Sequence, residues 1–188
     1  MYASAGKRVF DILLAVAALV LLLPLILLVA ILIKSFDPGP VFFRQCRIGR
    51  HGNVFWFYKF RSMPVNTRDI PSDKLESIKL TWIGKLIRRS NIDELPQLFN
   101  ILRGDMSIVG PRPSLPTQDE LIAVRRENGA LDCRPGLTGL AQINSFDLMS
   151  VAQKARFDGE YARDIRFTKD IFIILRTFLY LLKPPPVY

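Results

Sequence analysis

RRSNIDELPQLFNILRGDMSIVGPRP, residues 88 to 113, places two adjacent carboxylates, Asp93 and Glu94, among Arg88, Arg89, Arg103 and Arg112. The stretch predicts a short helix from about Asp93 to Leu102, a turn at Arg103-Gly104-Asp105, and a rigid segment Gly110-Pro111-Arg112-Pro113. An acidic pair ringed by cations suits a phosphorylated substrate. The same residues also admit a structural reading. Ser90, Asn91 or Asp93 can cap the helix, and acids in a first turn complement the helix dipole. With Asp93 as the cap, however, Pro96 removes one of the amides the cap would serve. Arg112 is held between two prolines, so it either loses little entropy on gripping a phosphate or simply decorates a proline turn.

Working outward, 188 residues suffice for one domain with a real core and are few for two. The net charge of +9 calls for an anionic partner: nucleic acid, phospholipid or a phosphorylated metabolite. Two cysteines, Cys46 and Cys133, and one histidine, His51, leave too few ligands for an ordinary zinc site and imply no disulfide framework. His51 lies in the glycine-flanked turn GRHGN, which argues against Ser-His-Asp or Cys-His catalysis. Carboxylates must then carry any nucleophilic or acid-base chemistry.

Upstream, the uncharged apolar run from Ile12 to Ile33 is roughly 33 Å long as a helix, about the thickness of a bilayer core. It is too long for a signal-peptide core and lacks a small-x-small exit. Pro24 near its middle favours a kink. Basic residues on both flanks, Lys7 and Arg8 before and Lys34, Arg44, Arg47 and Arg50 after, favour a re-entrant helix over a spanning one. The expected organisation is a membrane-inserted segment over residues 1–36 and a cytosolic, membrane-interface catalytic domain over 37–188.

Within that domain, VFFRQCRIG and VFWFYKFRSM on either side of RHGN predict a β-hairpin, with Phe55 to Tyr58 divided between core and interface. Lys59 and Arg61 end the second strand as snorkelling anchors or phosphate ligands. Residues 64 to 77 read as a loop, 80 to 89 as an amphipathic segment, and Gln118 to Gly129 as a solvated helix. In CRPGLTGLAQIN, Arg134, Gly136 and Gly139 suggest a tight loop whose amides can approach an anion. The standard nucleotide-binding glycine motifs are absent. A charged helix over Ser150 to Asp164 precedes IFIILRTFLYLLK, which is too short to span. It either lies in the interface or packs under the domain, before PPPVY ends the chain. The fold class is α+β: predominantly helical, with a small β-hairpin, an N-terminal re-entrant membrane helix and interfacial amphipathic helices.

Taken together, KRVFDI, the proline-broken apolar run, YKFRSM, DELPQ-x-x-N, GDMS-x-x-GPRP and RPG-x-TG-LAQIN resemble the bacterial sugar transferases, in the minimal form of the monotopic phosphoglycosyl transferases. The resemblance implies an enzyme that moves sugar-1-phosphate from a UDP-sugar to polyprenyl (undecaprenyl) phosphate and releases UMP, the first membrane step of bacterial glycan assembly. It implies a covalent phosphosugar on Asp93, with Glu94 holding Mg2+. It also implies residence on the cytoplasmic face of the inner membrane, with phospholipid and downstream glycosyltransferases as further partners and no nucleic acid. Lys59, Arg88 and Arg112 are the expected phosphate contacts, and the loop from Arg134 to Gln142 the expected nucleotide or sugar contact. The chain departs from the family pattern at Leu23, where serine commonly precedes Pro24, and at Ser145-Phe146, where glycine and arginine are expected. Asp158 and Tyr161 match later family positions without an assigned role. The competing class is a membrane-anchored basic module without catalysis, which explains +9 and the apolar run but leaves Asp93-Glu94 without a task.

Overall fold

The computed structural model describes residues 2–63, 81–144 and 149–181. The expected loop at 64 to 77, Ser145-Phe146, and the tail with PPPVY lie outside them.

The apolar run lies within α1, Lys7–Phe36, a 30-residue helix roughly 45 Å long. Pro24 sits inside it, and the chain is helical on both sides with no intervening loop. A single proline removes one backbone bond, and the surrounding helix persists because its inner face packs along its length. Near its start, Ala15 joins Phe57, Leu98, Ile101 and Met106. Near its end, Ile26, Val29 and Ile33 pack on Phe60, Ile83 and Ile87. The opposite face is uncovered, with Val20 72% and Leu21 77% exposed. Such a contiguous apolar surface marks contact with lipid or protein.

The polar start of α1 is fastened to the same domain. Arg8 donates from Nη1 to Ile101 O (2.6 Å) and from Nη2 to Leu102 O (3.0 Å). Asp11, 1% exposed, accepts from Ser107 Oγ at 2.9 Å and the Ile108 amide at 3.0 Å. Lys7 Nζ donates to Asp170 Oδ2 at 2.7 Å. The basic flank read from sequence as a topology signal is therefore committed to internal partners, including carbonyls at a helix C-terminus.

After α1, β1 (Phe42–Ile48) and β2 (Val54–Phe60) form the expected antiparallel hairpin, joined through a 3-10 turn, Arg50–Gly52. Alternation sends Phe57 into the core, 3% exposed, and leaves Trp56 47% exposed under the Arg44 guanidinium. Helix α2 (Trp82–Arg89), capped by Thr81 Oγ1, leads to α3 (Gln97–Arg103). Within the segment expected to be an anion-binding loop, Gly136–Thr138 form a strand, β4, that pairs in parallel with β3 (Ser107–Val109). A β-carbon on Gly136 would lie 2.1 Å from the Gly110 nitrogen, so this glycine serves close backbone packing. Its amide donates to Pro111 O and is not offered to a ligand.

The remaining α-helices among the described residues are α4 (Asp119–Glu127), α5 (Val151–Arg163) and α6 (Phe167–Leu181). Helix α6 does both things its sequence allows: Asp170 and Ile173 are fully buried, while Phe172, Leu175, Phe178 and Leu179 face outward. The described residues are thus predominantly helical with two small sheets.

Candidate active site

Helix α2 ends at Arg89, where Ser90 Oγ donates back to Leu86 O at 2.8 Å and so closes that helix. Asn91 turns the chain with a left-handed φ of 54°, which asparagine tolerates, and the 3-10 turn Ile92–Glu94 follows. The helix expected from Asp93 begins only at Gln97. Pro96, lacking an amide and already at φ −60°, stands at its N-cap without a side-chain bond. Neither Asn91 nor Pro96 caps through a side chain, and no hydrogen bond to the Asp93 carboxylate exists among the described residues. The capping explanation of the acidic pair is thereby removed.

The pair is buried against cations. Glu94 Oε1 accepts from Lys59 Nζ at 2.7 Å and from Arg112 Nη2 at 3.0 Å. Asp93, 6% exposed, has Lys59 Nζ at 3.6 Å from Oδ2. Lys59 is carried by β2, whose position beside α3 is set by Asn100. That fully buried amide donates to Trp56 O (2.7 Å) and accepts the Tyr58 N–H (3.2 Å). A polar side chain on the buried face of a short helix was its sequence signal.

The two carboxyls are driven apart. Burial alone would raise Glu94, but Arg112 and Lys59 outweigh it and hold the group well below the usual carboxylate range. Burial raises Asp93 above its ordinary value, with Lys59 opposing and the Glu94 charge adding, and Arg88 and Arg112 acting against it. Opposite shifts on adjacent groups are a mark of functional sites. Cys133 offers no rival nucleophile, since burial pushes its thiol up to about 11. His51 pairs with Asp132 at 3.0 Å on the surface.

Of the residues expected to bind phosphate, Lys59 and Arg112 touch the dyad and Arg88 acts on Asp93 through its charge. Arg61 is instead bound to the Asp37 backbone carbonyl near the end of α1. Arg134 turns to the far end of α3, donating to Gly104 O at 3.0 Å. Gln142 closes the RPG segment on a 3-10 turn, and both polar atoms of its amide are buried without a hydrogen-bond partner among the described residues. An unsatisfied buried amide costs stability and is available to a ligand.

No three Asp, Glu, His or Cys side chains converge among the described residues. Two hard carboxylates with a phosphorylated ligand fit magnesium, which binds through one or two carboxylates and completes its shell with phosphate oxygens and water.

A protein-family comparison matches residues 2–184 to the bacterial sugar transferase model. The chain belongs to the bacterial sugar transferase family. Among curated relatives, exopolysaccharide production protein ExoY of Sinorhizobium fredii is 38% identical, covering 92% of this chain and 83% of its own length. The UDP-glucose:undecaprenyl-phosphate glucose-1-phosphate transferase of Xanthomonas campestris pv. campestris is 38% identical over 100% of this chain. The UDP-N-acetylgalactosamine-undecaprenyl-phosphate N-acetylgalactosaminephosphotransferase of Aeromonas hydrophila is 39% identical over 91% of it. The chain spans 41% and 42% of the lengths of these last two sugar transferases.

Proposed function

We propose that this sugar transferase moves sugar-1-phosphate from a UDP-sugar to undecaprenyl phosphate, releasing UMP, through a covalent phosphosugar on Asp93. The observation that carries this reading is the division of labour in the dyad: Glu94 takes both cations through one oxygen, while Asp93 beside it is left without a hydrogen bond. A nucleophilic carboxylate must be ionised yet weakly solvated, and it must meet an anionic diphosphate among neutralising charges.

In this reading an Asp93 oxygen attacks the sugar-bearing phosphorus, and the anhydride bond to UMP breaks with its electron pair leaving on UMP. An oxygen of undecaprenyl phosphate then attacks the same phosphorus, and the Asp93–phosphorus bond breaks to restore the carboxylate. Lys59, Arg88 and Arg112 neutralise the phosphates, and Gln142 meets the nucleotide or sugar. Glu94, with Asp93 nearby, would hold Mg2+, which when bound supplies positive charge to the diphosphate oxygens. Relatives are named for transfer of glucose-1-phosphate and of N-acetylgalactosamine phosphate, so the UDP-sugar panel must include both sugars.

The lipid substrate fits a chain that remains on the cytoplasmic face of the inner membrane. Both ends of α1 are fastened to one domain, through Arg8 and Asp11 at the start and Ile33 at the end, which supports a re-entrant rather than a spanning helix. A non-catalytic basic module is disfavoured because it has no use for a buried carboxylate whose ionised form is penalised.

The test is UMP release from a panel of UDP-sugars, which should require both undecaprenyl phosphate and Mg2+ for turnover. Asp93→Asn should abolish it, and with UDP-sugar alone the wild-type peptide bearing Asp93 should gain the mass of a sugar phosphate. Full activity of Asp93→Asn would refute the assignment.

A further inference from the structure

Three consecutive backbone carbonyls in the segment carrying Arg112 are each held by a different element. Pro111 O accepts the Gly136 amide of β4 at 2.9 Å, Arg112 O accepts Arg125 Nη1 of α4 at 2.9 Å, and Pro113 O accepts Arg47 Nη1 of β1 at 3.2 Å. Prolines at 111 and 113 have no amide to donate, so carbonyl bonds provide the backbone anchoring. Arg125 is 3% exposed and is itself locked by Asp158, 1% exposed, through Nε at 2.9 Å and Nη2 at 2.6 Å.

We propose that the buried Arg125–Asp158 pair is a positioning device for Arg112, aiming its guanidinium at Glu94 and the substrate phosphate by fixing its carbonyl. The proposal rests on the reading of Arg112 as a phosphate ligand. Asp158 orients the guanidinium fork, which leaves Nη1 for a single acceptor, the carbonyl of the residue whose own Nη2 reaches Glu94. The pair does not earn its place by stability, because taking two charges out of water offsets their attraction. Burial raises the Asp158 carboxyl even with Arg125 beside it. What an apolar pair of equal volume lacks is the donor to Arg112 O.

That difference is the test. In Arg125→Met with Asp158→Leu, both charges are replaced by apolar groups, a change that is often neutral or stabilising for folding. The double variant should melt within a few degrees of wild type but lose on the order of tenfold in kcat/KM for the UDP-sugar. Arg125→Lys, which keeps the charge without the fork, should also lose activity. In an Arg112→Ala background, the same double substitution should change kcat/KM by less than about twofold, since coupled residues are non-additive. Wild-type activity of the folded double variant, or an undiminished loss in the Arg112→Ala background, would overturn the positioning role while leaving the phosphate role intact. Wild-type activity of Arg112→Ala alone would instead overturn the phosphate role on which the proposal rests.

Discussion

Lys59 Nζ donates to Glu94 Oε1 at 2.7 Å, joining the hairpin strand β2 to the 3-10 turn that carries the dyad. Glu94→Gln removes the charge that pairs both Lys59 and Arg112. The expected loss is about 1–3 kcal/mol, because hydrogen bonds to charged groups are the strong ones. Thermal melts of the detergent-purified protein would show a lower melting temperature, and an unchanged one would contradict the pairing.

Asp93→Asn should act in the opposite direction. Burial penalises the ionised carboxylate, so its neutral isostere relieves the folded state near neutral pH. The variant is expected to melt higher than wild type while failing to release UMP, a stability gain at the cost of function. A lower melting temperature would show that Asp93 is net stabilising.

Acid should stop the reaction before it unfolds the protein. Asp93 is raised, so its ionised form is lost as pH falls through a value above its ordinary 3.8, and with it a penalty on the fold. Glu94 is depressed, so its stabilisation is fully present above its ordinary 4.5 and disappears only as pH falls through the much lower folded value. UMP release measured against pH should decline on the acid side while the melting temperature holds. Lys59→Met, removing the cation that most opposes the rise at Asp93, should move that decline to higher pH.

Cysteines placed at Ser4 and Pro38 test the attachment of α1. Both should react with an impermeant thiol reagent from the cytoplasmic side, since hydrogen bonds hold the start of the helix, and apolar packing its end, to one domain. Labelling of position 4 from the opposite side would establish a spanning helix. In the same region, Asp11→Ala should cost about 1–3 kcal/mol, because the Ile108 amide is left without its partner.

Gly136→Ala should unsettle the parallel pairing of β3 and β4. The added carbon would meet Gly110 backbone at 2.1 Å, and backbone cannot give way as a flexible side chain does. The expected result is a lowered melting temperature and reduced activity, because the same strand pair carries the Pro111–Arg112 segment.

Local chemistry was legible in the sequence wherever it depends on neighbours in the chain. Aromatic and β-branched residues on either side of a glycine turn mark the hairpin, an uncharged run marks α1, and DELPQ with GPRP single out Asp93, Glu94 and Arg112. The start of α3 is not legible in the stretch: a helix from about Asp93 fits its residue types, whereas Asp93 lies in the preceding 3-10 turn and Pro96 stands at the N-cap. The strand Gly136–Thr138 is not legible in RPG-LTG because Gly136 and Gly139 serve contact with Gly110, a residue far away in the chain.

Sequence by itself determined the family, the acidic pair and the long apolar helix, since each is written in residue type and spacing. Only the tertiary structure decided which cations meet the dyad, sending Lys59 and Arg112 to Glu94, Arg61 to Asp37 and Arg134 to Gly104. It alone showed that Arg125 and Asp158 lie behind Arg112. The physical reason is that an arginine carries the same charge wherever it stands, whereas its partner is fixed by which backbone elements the packed core brings within about 3 Å of it.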